Sequence, residues 1–385
     1  IITIMLLAWG YLLLFGTPNS IGGVFTDLGL QREPTPITPQ NNLPPTTNLA
    51  PAESKLVQLT TRAVIGFVYV TDIDDQTSTT TTNSSKLRYA ERGTGHIYEI
   101  DFGTNTETRV SGTTVAQAVS AIFGPTGNVA VVVAEKTEGT SASLHAFGAT
   151  SGKSVPLPDN AHSFHFSNSN TLRYSVVEDN QTVTYEMDWS KETTSTLWGI
   201  PLVDVDVRWT DRGALVINRP SPWLKSAVYA VENGRLSRLI NPEYALFATI
   251  EPSGRLVFYS YFDATEGTTV SYVLDRDSGI STPSTLVAVP EKCTLLHEDE
   301  FWCATSYGSN DNGRELINKW YRGEFVSNDV LWKGQSDGSA TYMDDLSILA
   351  GFAIDTTNLT GTKDGDRLFF INKTNGALWM YGVES

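Results

Sequence analysis

The chain has 385 residues, of which 40% are hydrophobic and 18% charged, with 43 acidic side chains against 27 basic ones, a formal net charge of -16 and a pI near 4.7. Such an acidic surface excludes nucleic acid and anionic lipid headgroups as partners of the molecule as a whole. Residues 55–385 exceed one ordinary hydrophobic core, so a single domain of that size has to grow by repetition.

In chain order, the first feature is Ile1 to Phe15, an almost unbroken apolar run, with no charge before Asp27. At about 1.5 Å per residue the run alone falls short of a bilayer core. The chain starts without Met, which leaves room for residues upstream. No A-x-A pattern follows in Thr17 to Gly23, and this argues against a cleaved signal peptide. The expectation is a transmembrane helix within residues 1–25, placing a single-pass protein in the cell membrane. Residues 26–54 follow with Pro34, Pro36, Pro39, Pro44, Pro45 and Pro51 among Thr, Asn and Gln. That composition predicts an extended spacer of about 3 Å per residue.

From residue 55 the sequence repeats about every 43 residues, as a short strand, a polar turn, a second strand, and a third strand ending in another polar turn. Second strands are predicted at Leu87 to Ala90, Val129 to Val133, Leu172 to Val177, Ala214 to Asn218, Leu256 to Tyr261, Phe301 to Ala304 and Leu368 to Asn372. Third strands are predicted to follow each, from His96 to Asp101 through Asp329 to Trp332 and Ala377 to Tyr381. Turn pairs such as Asn233-Gly234 and Ser278-Gly279 supply the chemistry of tight hairpins. An all-strand period in the forties predicts an all-β, seven-bladed β-propeller over residues 55–385. A β-sandwich has no reason to repeat every four strands. The last unit stops after its third strand, so Lys55 to Thr60 is expected to supply its outer strand and close the ring.

The two cysteines, Cys293 and Cys303, flank the turn centred on Glu298, and antiparallel pairing places them opposite each other. A disulfide there fits an oxidising compartment. The sixth unit is irregular, because Ser306 to Asn328 joins its second and third strands. A loop of this length with Leu316, Ile317, Trp320 and Tyr321 is expected to fold onto the rim, either as a recognition surface or by packing on its own blade as a strand. Being a second-to-third connection, it shares a face with the starts of the first strands. The closing strand begins on the opposite, more acidic face. Trp320, Tyr321 and Arg322 are therefore the candidate recognition residues.

No catalytic motif stands out: there is no G-x-S-x-G, Walker loop, dinucleotide fingerprint, H-E-x-x-H or EF-hand loop. Asp72, Asp74 and Asp75 open a Thr/Ser-rich insertion running to Ser85, while Asp204 and Asp206 alternate with valines along a first strand and are expected to share one face of the channel. That pair is a candidate for a hard cation, although no complete oxygen set accompanies it. His162 and His165, three apart in a strand, are expected to face opposite sides. The sequons are at Asn83, Asn180, Asn358 and Asn372.

Taken together, Arg88 to Glu99, Phe301-Trp302-Cys303, Trp320-Tyr321-Arg322-Gly323, Val330-Leu331-Trp332 and Leu368 to Tyr381 resemble the membrane-anchored, WD40-like propeller proteins of small-genome bacteria. The resemblance implies a cell-surface, single-pass protein of the kind that can join an envelope assembly. The Gly-His and Trp-Asp signatures of true WD40 repeats are missing. The expected function is non-catalytic binding of a protein or glycan of the cell envelope, with no cofactor, no metal and no nucleic acid. The alternative is a hydrolase or lyase acting on a glycan or lactone through channel carboxylates or a metal.

Overall fold

A computed structural model describes residues 55–71, 85–147, 152–297, 299–306 and 314–383. The expected anchor and spacer at 1–54, the Thr/Ser-rich insertion holding Asp72, Asp74, Asp75 and Asn83, and the part of the sixth-unit loop before Arg314 lie outside these residues. No helix among the described residues is long and apolar enough to cross a membrane.

The strands assemble into antiparallel sheets, five of four strands and one of seven. The first unit is Val64–Thr71, Ser85–Glu91, Ile97–Asp101 and Thr106–Ser111; the second is Ala118–Phe123, Val129–Glu135, Thr140–Ala146 and Ser154–Pro156. The third is His162–Asn168, Thr171–Glu178, Gln181–Asp188 and Thr193–Ile200. The seven-stranded sheet comprises two units that share one long strand. Arg235–Ile250 pairs through its first half with Lys225–Glu232 and through its second with Leu256–Asp263. It is thus the outer strand of a fourth unit that begins at Val205–Thr210 and the inner strand of a fifth that ends at Ile280–Pro283. The sixth unit is Cys293–His297, Glu300–Ser306, Asp329–Gln335 and Ala340–Asp345. The seventh has Thr356–Gly361, Arg367–Asn372 and Leu378–Gly382.

Each neighbouring pair of units encloses its own apolar core, including the pair formed by the seventh and the first. This explains why second strands such as Val129–Glu135 read as continuous apolar runs, since both of their faces are covered. In Arg367–Asn372, Leu368 and Phe370 enter the core shared with the sixth unit, whereas Phe369 and Ile371 enter the core shared with the first. Burial of such a ring stabilises by roughly 1.5–3 kcal/mol. Inner strands touch the inner strands of the next unit. Gly66 and Ala121 approach so closely that a Cβ on Gly66 would lie 1.9 Å from the Ala121 carbonyl oxygen.

The seventh unit takes its outer strand from the N-terminal side. Leu56–Gln58 lies antiparallel on Leu378–Gly382, with Leu56 opposite Tyr381 and Gln58 opposite Trp379. Leu56 enters the core between the sixth and seventh units and Val57 the core between the seventh and first, so this short strand seals both. Its start lies beside the first-to-second turn, because Gly382 N–H donates to the Lys55 carbonyl and Val383 N–H to the Asp366 carbonyl.

Among the described residues two short α-helices interrupt the strands. Helix α1, Leu316–Tyr321, occupies the sixth-unit loop, so this segment is not the alternative third strand; Asp329–Gln335 holds that position. Helix α2, Leu346–Ala350, leads into the seventh unit, capped by the Asp345 side chain on the Ile348 N–H and by Gly351 in the left-handed region. Cys293 and Cys303 are directly opposite on adjacent strands, with Cα atoms 4.1 Å apart, and are joined in a disulfide. Asn372 is fully buried and bonds the Asp355 N–H, so among the sequons it is not a glycosylation acceptor in the folded chain.

Candidate functional site

The starts of the inner strands converge on one face of the array, here called the mouth. Several of these strands carry a bulge there, between Ala118 and Ser120, His162 and His165, and Tyr244 and Phe247. Gln117, Ser163, Asp204 and Ala245 take left-handed backbone angles at corresponding places. A bulge re-aims side chains and cancels the period of two. His162 and His165, expected on opposite sides, accordingly line the same cavity. The pair Asp204 and Asp206 is likewise not a shared face. Asp204 precedes its strand at φ 53° and accepts the Arg219 N–H through its carbonyl, and Asp206 alone reaches the cavities. Among the described residues no group of three or more His, Cys, Asp or Glu is placed to hold a metal.

Two adjoining cavities, of about 460 and 590 Å³, open at the mouth and share Asp206 and Arg208 as a common wall. The smaller one is lined by Asn218, Arg219, Phe247, Glu291 and Tyr321 in addition. Arg208 lies 3.1 Å from Asp206 Oδ2 and 3.5 Å from Glu291 Oε1. Burial pushes the Glu291 carboxyl above the ordinary carboxylate range, against the opposing pull of Arg208 and of a hydrogen bond from Tyr321. The other carboxylate oxygen of Glu291 is buried with no partner among the described residues. Burial and the Glu291 charge raise the Tyr321 phenol strongly. Arg219 is exposed at the rim and has no side-chain partner among the described residues.

The larger cavity is more aromatic. His165 stacks on Trp209 at 6.2 Å, and the Arg173 guanidinium lies 4.4 Å from the same indole. Burial first, and the Arg173 charge second, lower the His165 pKa to about 4. Ser163 Oγ donates to Asp206 Oδ1 and accepts from the Val207 N–H, which ties the third unit to the fourth.

Tyr321 reaches the smaller cavity because α1 is pinned by a buried charge network. Lys292 Nζ lies 2.7 Å from Asp329 Oδ2 and 2.6 Å from Asp355 Oδ1, and it also bonds Ser327 Oγ. Trp320 Nε1–H donates to Asp355 Oδ1 at 2.8 Å, and Lys373 donates to the Trp320 carbonyl while its Nζ lies 4.0 Å from the indole centre. Trp320 is therefore 3% exposed, an anchor in the interior and not an accessible recognition residue. Tyr321, the next residue, is 49% exposed, stacks on Phe247 and bonds Glu291. Arg322 is exposed and pairs with Glu324 at 3.1 Å. Sequence reasoning thus reached Tyr321 and Asp206 but missed Arg208, Arg219 and Glu291. The repeat register itself was the available signal, since Asp206 and Arg208 lie on the inner strand Val205–Thr210 and Glu291 lies in the 3-10 turn that enters Cys293–His297.

No protein-family model matches the chain, and no curated protein matches it. Solved structures do. Oligogalacturonate lyase from Vibrio parahaemolyticus matches at 11% identity over 88% of this chain and 96% of its own, with a TM-score of 0.53. The β-propeller domain of the Trilobed protease from Pyrococcus furiosus matches at 9% identity over 79% and 92%, with a TM-score of 0.48. TolB from Acinetobacter baumannii matches at 14% identity over 63% of this chain, with a TM-score of 0.40, and this chain spans only 57% of its length. At such identities the likeness carries the fold and not the activity. The repeated antiparallel sheets make the chain an all-β protein with a propeller-like fold, and the resemblance to the propellers of small-genome bacteria is supported as far as that fold.

Proposed function

We propose that the protein is a seven-bladed propeller tethered to the membrane by its N-terminal segment, and that it binds a protein or glycan of the cell envelope through the mouth without transforming it. The observation that carries this reading is the mounting of Tyr321. A buried ion network holds α1 in place and presents a half-exposed aromatic ring over a cavity whose 460 Å³ falls in the range of ligand pockets. The disulfide supports an extracytoplasmic location, because such bridges persist in oxidising compartments. The apolar run at 1–15 and the proline-rich spacer support the tether.

A second reading is favoured by one observation, the raised pKa of Glu291 beside Tyr321 and Arg208, an arrangement that also serves general acids. In that reading the mouth belongs to a hydrolase or lyase acting on a glycan or lactone. The test is to extract the protein in mild detergent and identify what is retained by the wild type but lost from Tyr321→Ala. A stoichiometric, unmodified companion supports binding. Turnover of that companion or of an acidic oligosaccharide, abolished by Glu291→Gln, overturns the non-catalytic reading.

A further inference from the structure

We infer that the partner at the mouth is a protein segment presenting an acidic side chain between apolar residues, its carboxylate received by Arg219 and Arg208 and its flanks by exposed apolar side chains around the smaller cavity. The inference rests on the binding reading proposed above and adds the chemistry of the partner. Its first support is the asymmetry of the two faces. Trp223, Leu224, Tyr321, Val326, Ile348 and Phe352 are exposed by 44–77%, and all lie on connections of the mouth face. The turns of the opposite face are instead held by charge, as in Arg212 with Asp277 and Arg255 with Asp275 and Asp299. Exposed apolar side chains gathered on one face mark an interaction surface, whereas single scattered ones do not.

The second support is continuity around the cavity. The Arg314 guanidinium, just before α1, lies 3.7 Å from the Tyr244 ring centre and 5.4 Å from that of Trp223, and Tyr321 stacks on Phe247. Trp, Tyr and Arg are the residue types that dominate binding energy at protein interfaces. The third support is charge complementarity. In a chain of net charge -16, the rim of this cavity carries the guanidinium of Arg219, which has no side-chain partner among the described residues, with Arg208 behind it. A guanidinium fork matches a carboxylate in two parallel hydrogen bonds. Arg208 lies between Asp206 and Glu291 and offsets both carboxylates, and burial raises the Glu291 carboxyl, which lessens its repulsion of an incoming carboxylate. Trp223 and Leu224, exposed by 64% and 73%, suit an apolar peptide side chain.

The test is to pan a phage-displayed library of random internal peptides against the full-length protein in mild detergent, with a glycan array run in parallel. Enriched peptides are expected to place Asp or Glu between apolar residues. Their synthetic, end-capped forms should bind at least about tenfold more weakly to Arg219→Glu and to Trp223→Ala. Ile280→Ala, an exposed apolar position on the opposite side, should bind them as the wild type does. All three positions are exposed, and unchanged thermal unfolding verifies that the variants fold. Enrichment of peptides without an acidic residue, or binding that survives Arg219→Glu, overturns the inference. Binding to glycans but to no peptide overturns it while leaving the broader binding reading standing. Binding to neither counts against both.

Discussion

Replacing Lys292 by Met should cost the protein roughly 3 kcal/mol, at the lower end of what removing one partner from a buried ion cluster costs. Lys292 is 3% exposed, and its partners Asp329 and Asp355 are 0% and 1% exposed. Without the ammonium, two carboxylates stay in the interior with only Lys373 to offset them. Asp329 keeps the Thr356 N–H, and Asp355 keeps the Trp320 indole and the Ser327 hydroxyl. Those bonds soften the loss without neutralising the second charge. Lys373, held below its usual pKa first by burial and in part by the Lys292 charge, becomes easier to protonate once Lys292 is gone; this is why the lower end of the range applies. Urea unfolding followed by circular dichroism reads the change as a lower midpoint at unchanged slope. Neutralising the whole cluster as Lys292→Met, Asp329→Asn and Asp355→Asn should recover most of the loss, because no carboxylate stays charged in the interior, and the part-exposed Lys373 keeps the Trp320 carbonyl as acceptor. A single variant within about 0.5 kcal/mol of wild type, or a triple variant no better than the single, would refute the reasoning.

Deleting residues 55–60 should damage folding far more than deleting residues 31–50, because Leu56 and Val57 complete two cores; equal thermal stability of the two deletions refutes strand closure. Replacing both cysteines by Ser should cost roughly 2–3 kcal/mol for a loop with a separation of 10, and mass spectrometry of the native protein should show a gain of about two hydrogens on reduction. His165 has a folded pKa of about 4, below its unfolded value, so its unfolded form takes up a proton first and stability should fall as pH drops from about 6.5 to 4; His165→Phe should flatten that limb in pH-dependent unfolding. Glu291 shifts the opposite way. Its folded carboxyl keeps a proton that the unfolded chain has lost, so stability falls as pH rises through that window, and Glu291→Gln should stabilise at neutral pH with a gain that shrinks on acidification.

The architecture was legible because it repeats. Each predicted second strand lies within an observed one, each predicted third strand overlaps one and overruns it by one residue at most, and the spare strand at Lys55 to Thr60 does complete the last sheet through Leu56–Gln58. The disulfide was legible for a related reason, since two cysteines equidistant from one turn are opposed by any regular antiparallel pairing. What failed was the inference from strand period to side-chain direction. It assumed unbroken strands, and the inner strands bulge at the mouth, where ligands would approach. Left-handed Ser163 and Ala245 carry no marker in the sequence, because non-glycine residues rarely adopt that conformation and only the surrounding packing enforces it.

The sixth-unit loop shows why the nominated residues divided as they did. Length and aromatic content pointed to this segment, but they treat Trp320 and Tyr321 alike. On a helix, neighbouring residues point about 100° apart, so one of two adjacent aromatic rings faces the body of the protein while the other looks elsewhere. Which one turns inward follows from hydrogen-bonding capacity. An indole only donates, and a buried cluster with excess acceptors, such as Asp355, is a fitting environment for it. A phenol both donates and accepts and tolerates a half-wet boundary, where its hydroxyl reaches Glu291 while its ring stays open to a partner. The same helix therefore separates two tasks. Substituting Trp320 should lower stability and binding together, whereas Tyr321→Phe, which keeps the ring and loses the bond to Glu291, should cost about 1 kcal/mol of stability in urea unfolding and leave the ring's contact with a partner in place.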